Sequence, residues 1–213
     1  MKSLFLVRHG QSRNQIGQEG WLDPDLSEEG IRQAERIRSY FAERTYELII
    51  SSPLTRARRT FNLSGARADR CEFDSRLVEC AMHDTEEYDY RRLLPYPTPD
   101  YAEPDRFNMW KVPSGERIES LLADIRQRPE QQILLFGHCA IFYVLLQHVE
   151  GNFLKGEPEF SDEGRRLLMD NTALSELVIG ESPEQDRVVR WNLNIQDLLV
   201  PGDESRSVHS TVT

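Results

Sequence analysis

No apolar run in this 213-residue chain approaches the roughly 20 residues that cross a bilayer; the longest uninterrupted one is Ala140 to Leu146. A membrane-spanning helix is therefore not expected. Near the N-terminus Leu4 to Val7 is too short for the apolar stretch of a secretory signal, and Arg8 closes it. Cysteine is scarce: Cys71, Cys80 and Cys139 make neither an even disulfide framework nor a CxxC pair. A reducing, cytoplasmic setting is the expectation. Basic residues are in the minority, 26 Lys plus Arg against 36 Asp plus Glu, giving a net charge of −10 and a pI near 5.1. Such a balance offers no general face for nucleic acid or an anionic membrane, because both need cations that displace counterions or meet headgroups. Any anionic ligand has to be held by a local cluster of positive side chains.

What is present suffices for a packed core. Hydrophobic residues make up 38% and charged residues 29%, which excludes wholesale disorder and leaves a polar surface. Leu4 to Val7, Leu48 to Ile50 and Ile133 to Phe136 read as buried strands. Helical spacing follows Ser27 (Ile31, Ala34, Ile37, Phe41), with Ser27 as N-cap. It recurs after Pro53 (Leu54, Ala57, Phe61, Ser64), where Arg56 and Arg59 fall off the inner face, and in Ile118, Leu121, Leu122 and Ile125. A further apolar helix runs from Ala140 to about Val149, and two late strands lie at Leu174 to Ile179 and Val188 to Leu193. Strands alternating with helices predict an α/β three-layer sandwich, a mostly parallel sheet with helices on both faces. One domain over 1–200 is expected, with an irregular, lid-like, proline-rich and tyrosine-rich excursion at about 81–113 and a flexible tail at 201–213.

Ligands of open α/β sheets sit beyond the carboxyl ends of the strands. Three such ends carry chemistry here: Arg8-His9-Gly10, Ser51-Ser52-Pro53 leading to Arg56, and Gly137-His138. Two imidazoles and two guanidiniums can thus converge. A guanidinium grips a phosphoryl dianion through a planar fork, one neutral imidazole can attack, and a second can donate to the charge that develops. No carboxylate or cysteine cluster with metal spacing accompanies them, so neither metal nor cofactor is expected. His83, His148 and His209 read as ordinary structural or surface residues.

The chain resembles the histidine phosphatase superfamily, branch 1, the family of the phosphoglycerate mutases and fructose-2,6-bisphosphatase. The likeness lies in Leu6-Val7-Arg8-His9-Gly10-Gln11-Ser12 with Asn14, Asp25-Leu26-Ser27-Glu28-Glu29-Gly30 with Gln33-Ala34, Ser51-Ser52-Pro53-Leu54-Thr55-Arg56-Ala57 with Thr60, Leu77-Val78-Glu79 and Gly137-His138. Pro113-Ser114-Gly115-Glu116 and Asp170-Asn171-Thr172 extend it. The resemblance implies a phosphoglycerate mutase-like fold, His9 as the residue phosphorylated in turnover, and Arg8, Arg56 and His138 as the phosphate pocket. It further implies Glu79 as proton donor to the leaving oxygen and Asn14 as an additional phosphate donor.

The expected activity is metal-independent hydrolysis of a small phosphomonoester through phosphohistidine. Two alternatives are a mutase that returns the phosphoryl group to a second hydroxyl and a weakly active phospho-ligand binding module. Cys80-Ala81-Met82-His83 departs from what phosphoglycerate mutases carry after the glutamate, which favours hydrolysis. Cys80 and Cys139 adjoin two site residues, and oxidation of their thiols is expected to inhibit.

Overall fold

The computed structural model describes residues 1–20, 23–80, 113–150 and 168–199. The expected excursion at 81–113, apart from Pro113, and the tail at 201–213 lie outside them, as do His83 and His209. Among the described residues six strands make one sheet: β1 (Lys2–Arg8), β2 (Thr45–Ser51), β3 (Arg67–Phe73), β4 (Gln132–Gly137), β5 (Leu174–Ile179) and β6 (Arg187–Leu193). Their order is β3-β2-β4-β1-β5-β6. Strands β1 to β4 pair in parallel, whereas β5 runs antiparallel to both β1 and β6.

The central strands are buried on both faces, so their side chains alternate between two cores instead of between core and water. Leu4, Leu6, Leu48, Ile50, Ile133 and Leu135 enter one core, covered by α4 (Ser114–Gln127) and α5 (Cys139–Val149). Val7, Ile49, Leu134 and Phe136 enter the other, against Ile37, Tyr40 and Phe41. That second face carries α1 (Glu28–Arg36), α2 (Arg38–Ala42) and α3 (Thr55–Ser64). The result is the three-layer α/β arrangement expected. Helix α5 is apolar nearly all round and buried from Ala140 to Leu146, the pattern of a helix packed inside a domain.

Three local features differ from the sequence reading. The helix after Ser27 divides at Ile37 into α1 and α2, which turns Ile37, Tyr40 and Phe41 all onto the sheet. Strand β3 was not expected, since Arg67, Asp69, Arg70 and Glu72 interrupt any apolar run; as an edge strand it pairs on one side only and tolerates that charge. Arg56 was placed off the inner face of its helix, yet it is 4% exposed. It sits in the first turn of α3, over the strand ends, where a side chain flanking the apolar stripe is covered by the neighbouring strand ends.

Two glycines bring the loop after β1 into backbone contact with α1. A Cβ on Gly30 would lie 1.9 Å from the carbonyl oxygen of Gln11, and one on Gly10 would lie 2.5 Å from that of Gly30. Only glycine permits this approach.

Candidate active site

The ends of β1, β2 and β4 deliver polar groups to the same edge of the sheet. His9 follows β1 and is 3% exposed; its amide donates to the Gly137 carbonyl at 3.0 Å. Around it, the Gly10 amide donates to Thr60 Oγ1 at 2.9 Å and the Gln11 amide to Gln33 Oε1 at 2.8 Å. Asn171 Nδ2 donates to the His9 carbonyl at 2.9 Å, and the Thr172 amide to the Arg8 carbonyl at 3.1 Å. Thr172 holds φ at 58°, a strained value for a β-branched residue, so the Asp170–Thr172 turn is forced to clamp this strand end.

The His9 ring has one assignable tautomer. Its Nδ1 lies 2.7 Å from the Gly10 carbonyl, which can only accept, so Nδ1 carries the proton and Nε2 carries the lone pair. Arg56 Nε donates to that Nε2 at 3.2 Å. His138, fully buried before α5, places its ring centroid 5.0 Å from that of His9. Its Nε2 is 2.8 Å from Ser52 Oγ, and its Nδ1 has no hydrogen-bond partner among the described residues. Arg8 directs Nη1 to the Met169 carbonyl, while its Nε is buried and equally unpartnered there.

Glu79 is half-buried beside them. Its Oε1 accepts from the amides of Ala140 at 3.1 Å, Ile141 at 3.2 Å and Cys80 at 3.2 Å. The Ala140 and Ile141 amides, at the positive end of α5, are thus taken up by this carboxylate. Asn14 occupies a 3-10 turn (Arg13–Ile16), where its Oδ1 accepts from Ser12 Oγ at 2.6 Å. The next residue, Gln15, contacts Asn171 Nδ2 at 3.3 Å and so joins that turn to the clamp.

Burial and the neighbouring cations set the protonation states. Removal from water, then Arg56 and Arg8, hold His9 well below the ordinary histidine value of 6.5. Burial, Arg56, His9, Arg8 and Arg117 do the same to His138. Both imidazoles are neutral at neutral pH. Glu79 is pushed the other way: desolvation raises its carboxyl, against the opposing pull of Arg56, Arg8 and the backbone donors.

Three residues escaped the sequence reading. Ser52 and Asn171 lay inside the quoted motifs without roles. Arg117 is 2% exposed and donates from Nη1 to the Val78 carbonyl at 2.8 Å, immediately before Glu79. Its signal was available: a cation four residues before Leu121, on the apolar face of α4, has to be satisfied inside the protein.

His9, Glu79 and His138 also bring ligand atoms within 4.8 Å of one another, a set that could hold a metal ion. The surroundings oppose one: a divalent cation would have to displace the Arg56 N–H from His9 Nε2 and sit between two guanidiniums. The same positive field favours an anion presented to the His9 lone pair.

Residues 4–194 match the family model described as histidine phosphatase superfamily, branch 1. Among curated relatives, a Bacillus subtilis protein named uncharacterized phosphatase PhoE is 28% identical over 204 residues, covering 91% of this chain and 96% of the relative. An Escherichia coli protein named probable phosphoglycerate mutase GpmB is 29% identical over 197 residues, covering 85% and 87%. Among solved structures, a mycobacterial glucosyl-3-phosphoglycerate phosphatase in complex with inorganic phosphate superposes with a TM-score of 0.61 at 23% identity, covering 92% of this chain and 99% of that one. An Entamoeba histolytica phosphoserine phosphatase gives 0.61 at 20% identity, with 91% and 98% covered.

Proposed function

The chain belongs to the histidine phosphatase superfamily, branch 1, and from that premise we propose that it hydrolyses a small phosphomonoester through a phosphohistidine on His9, without a metal. The observation that carries this reading is the tautomer of His9. The Gly10 carbonyl fixes the proton on Nδ1 and leaves the Nε2 lone pair facing a pocket with two guanidiniums and a second neutral imidazole.

In the first step Nε2 attacks phosphorus, the N–P bond forms and the ester P–O bond breaks. Arg8 and Arg56 neutralise the equatorial oxygens, and His138 Nδ1–H donates to the charge as it grows. Protonated Glu79 supplies the proton that the departing alkoxide needs; its raised pKa, lifted further by a bound dianion, suits it to do so. In the second step Glu79 takes a proton from water, whose oxygen attacks phosphorus as the N–P bond breaks. Inorganic phosphate leaves and His9 regains its lone pair.

The relative named as a mutase supports a second reading, in which an alcohol replaces water in that step. A labelled phosphomonoester with rapid alkaline quench separates the two. Hydrolysis gives acid-labile label on the protein followed by free phosphate, and His9→Ala removes both with a loss of activity of at least ~1,000-fold while far-UV circular dichroism stays unchanged. Transfer of label to an added alcohol would favour the mutase. Turnover retained in the variant would overturn the covalent route, and loss of activity in EDTA restored by a divalent metal would overturn the metal-free one.

A further inference from the structure

We propose that Ser52 is a positioning residue that fixes the tautomer of His138, keeping the ring proton on Nδ1, where it serves as a donor to the phosphoryl group. This inference rests on the reading of His138 as such a donor and adds the residue that makes it one.

The argument is an accounting of one buried hydroxyl. Ser52 is 0% exposed, at the end of β2 where the chain turns into α3. Its amide is used by the Phe136 carbonyl at 2.8 Å, which ties it to β4 just before His138. Its Oγ accepts from the Leu54 amide at 3.3 Å and lies 2.8 Å from His138 Nε2. A hydroxyl has one proton to give, and a buried donor left without an acceptor loses its solvation uncompensated. Among the described residues His138 Nε2 is the acceptor within reach. If Ser52 donates to Nε2, that nitrogen holds the lone pair, and the proton of the neutral ring resides on Nδ1.

The opposite tautomer fails twice. With the proton on Nε2, Ser52 Oγ would accept from both Leu54 and His138, and its own proton would be stranded. His138 Nδ1, already without a partner among the described residues, would then carry a lone pair and no proton, and could not donate to a phosphoryl oxygen. Burial and the surrounding cations keep His138 neutral, so protonation of both nitrogens does not relieve this choice. Ser52 also links the two halves of the pocket. The hydroxyl that orients His138 receives the Leu54 amide, at the entry to the helix that carries Arg56.

Nitrogen-15 spectra of the full-length, phosphate-free protein with labelled histidine test the proposal directly, His138 being assigned by its loss in His138→Gln. The wild type is expected to show His138 protonated at Nδ1 with Nε2 an unprotonated acceptor. Ser52→Ala should move proton population to Nε2 and lower kcat for an aryl phosphate ~10- to 100-fold, the scale of losing one transition-state donor, with KM changed only a few-fold. Ser52→Thr should restore the Nδ1 proton and most of kcat. A wild-type ring protonated at Nε2, or a Ser52→Ala spectrum that keeps the Nδ1 proton, overturns the proposal. Because the spectrum needs no substrate, an inactive protein with the expected tautomer would sink the phosphatase reading alone, and an active one with the opposite tautomer would sink this one alone.

Discussion

The Nε–H of Arg56 points at the Nε2 lone pair of His9 across 3.2 Å, so in the free protein the nitrogen proposed to attack is occupied by the guanidinium proposed to grip the substrate. In the proposed reaction a phosphoryl oxygen takes over that N–H before His9 attacks, which would couple release of the nucleophile to arrival of its anionic target. Arg56→Lys keeps the charge but loses the planar fork and the Nε donor. The variant is expected to lose about 100-fold or more in kcat/KM for an aryl phosphate, measured by phosphate release. An unchanged value would show that the contact is incidental.

Much of this arrangement was legible in the sequence because strand ends can be recognised without knowing which strands are neighbours. Arg8-His9, Ser52 with Arg56, and His138 each follow a short apolar run, and parallel pairing of β1, β2 and β4 brings those runs side by side. The approach of Glu79 could not be read that way. It follows a polar edge strand and reaches the site through bonds to the first-turn amides of α5, a relation with no sequence period behind it. Arg117 was hidden differently, as one charged residue on an otherwise apolar helical face. Asn14 stands in the motif as a phosphate donor, a role that falls to its Nδ2 because its Oδ1 accepts from Ser12 Oγ, and its turn bears on the clamp around His9.

The cysteines give a prediction opposite to the expectation raised by their position. Burial pushes the Cys139 thiol up to about 11, and its Sγ donates toward the Met169 carbonyl at 3.6 Å. A thiol rather than a thiolate stands beside His138, and peroxide attacks thiolates. Brief peroxide treatment should leave Cys139 reduced and phosphatase activity within about twofold of the untreated protein. Mass spectrometry of the Cys139 peptide checks it, and stoichiometric oxidation there with parallel inhibition would reverse the conclusion.

Acid stability should report the two buried imidazoles. His9 and His138 titrate below 6.5 in the folded chain and near 6.5 when unfolded, so between those values the unfolded state binds more protons. Stability therefore falls as pH drops below that value. Glu79 acts in the opposite sense above its ordinary 4.5, where the folded state holds the extra proton, but it is one group against two. Each buried histidine contributes up to ~1.4 kcal/mol per pH unit. Urea unfolding at about pH 7 and about pH 5.5 should show a loss of stability that is shallower in His138→Gln by roughly 1 kcal/mol per pH unit. Parallel curves would mean that His138 becomes protonated in the folded protein.

The acid role proposed for Glu79 predicts how the reaction depends on its leaving group. Its carboxyl is raised by burial, yet its Oε1 is fastened to the amides of Ala140 and Ile141, which favour the ionised form. A bound dianion adds like charge, shifts that balance toward the protonated form and readies the acid only when substrate is present. Glu79→Gln keeps an oxygen for the two amides and the volume of the side chain, but has no acidic proton. An alkyl phosphate, whose alkoxide leaves poorly, should lose on the order of 1,000-fold in the phosphorylation step, and an aryl phosphate with a stable phenolate about tenfold or less. With an aryl substrate the variant should then accumulate phosphohistidine, because water has lost its base while the first step remains fast. Rapid-quench measurement of both steps with both esters tests the whole assignment. Equal slowing of good and poor leaving groups would remove Glu79 from the acid role and leave it a support for the start of α5.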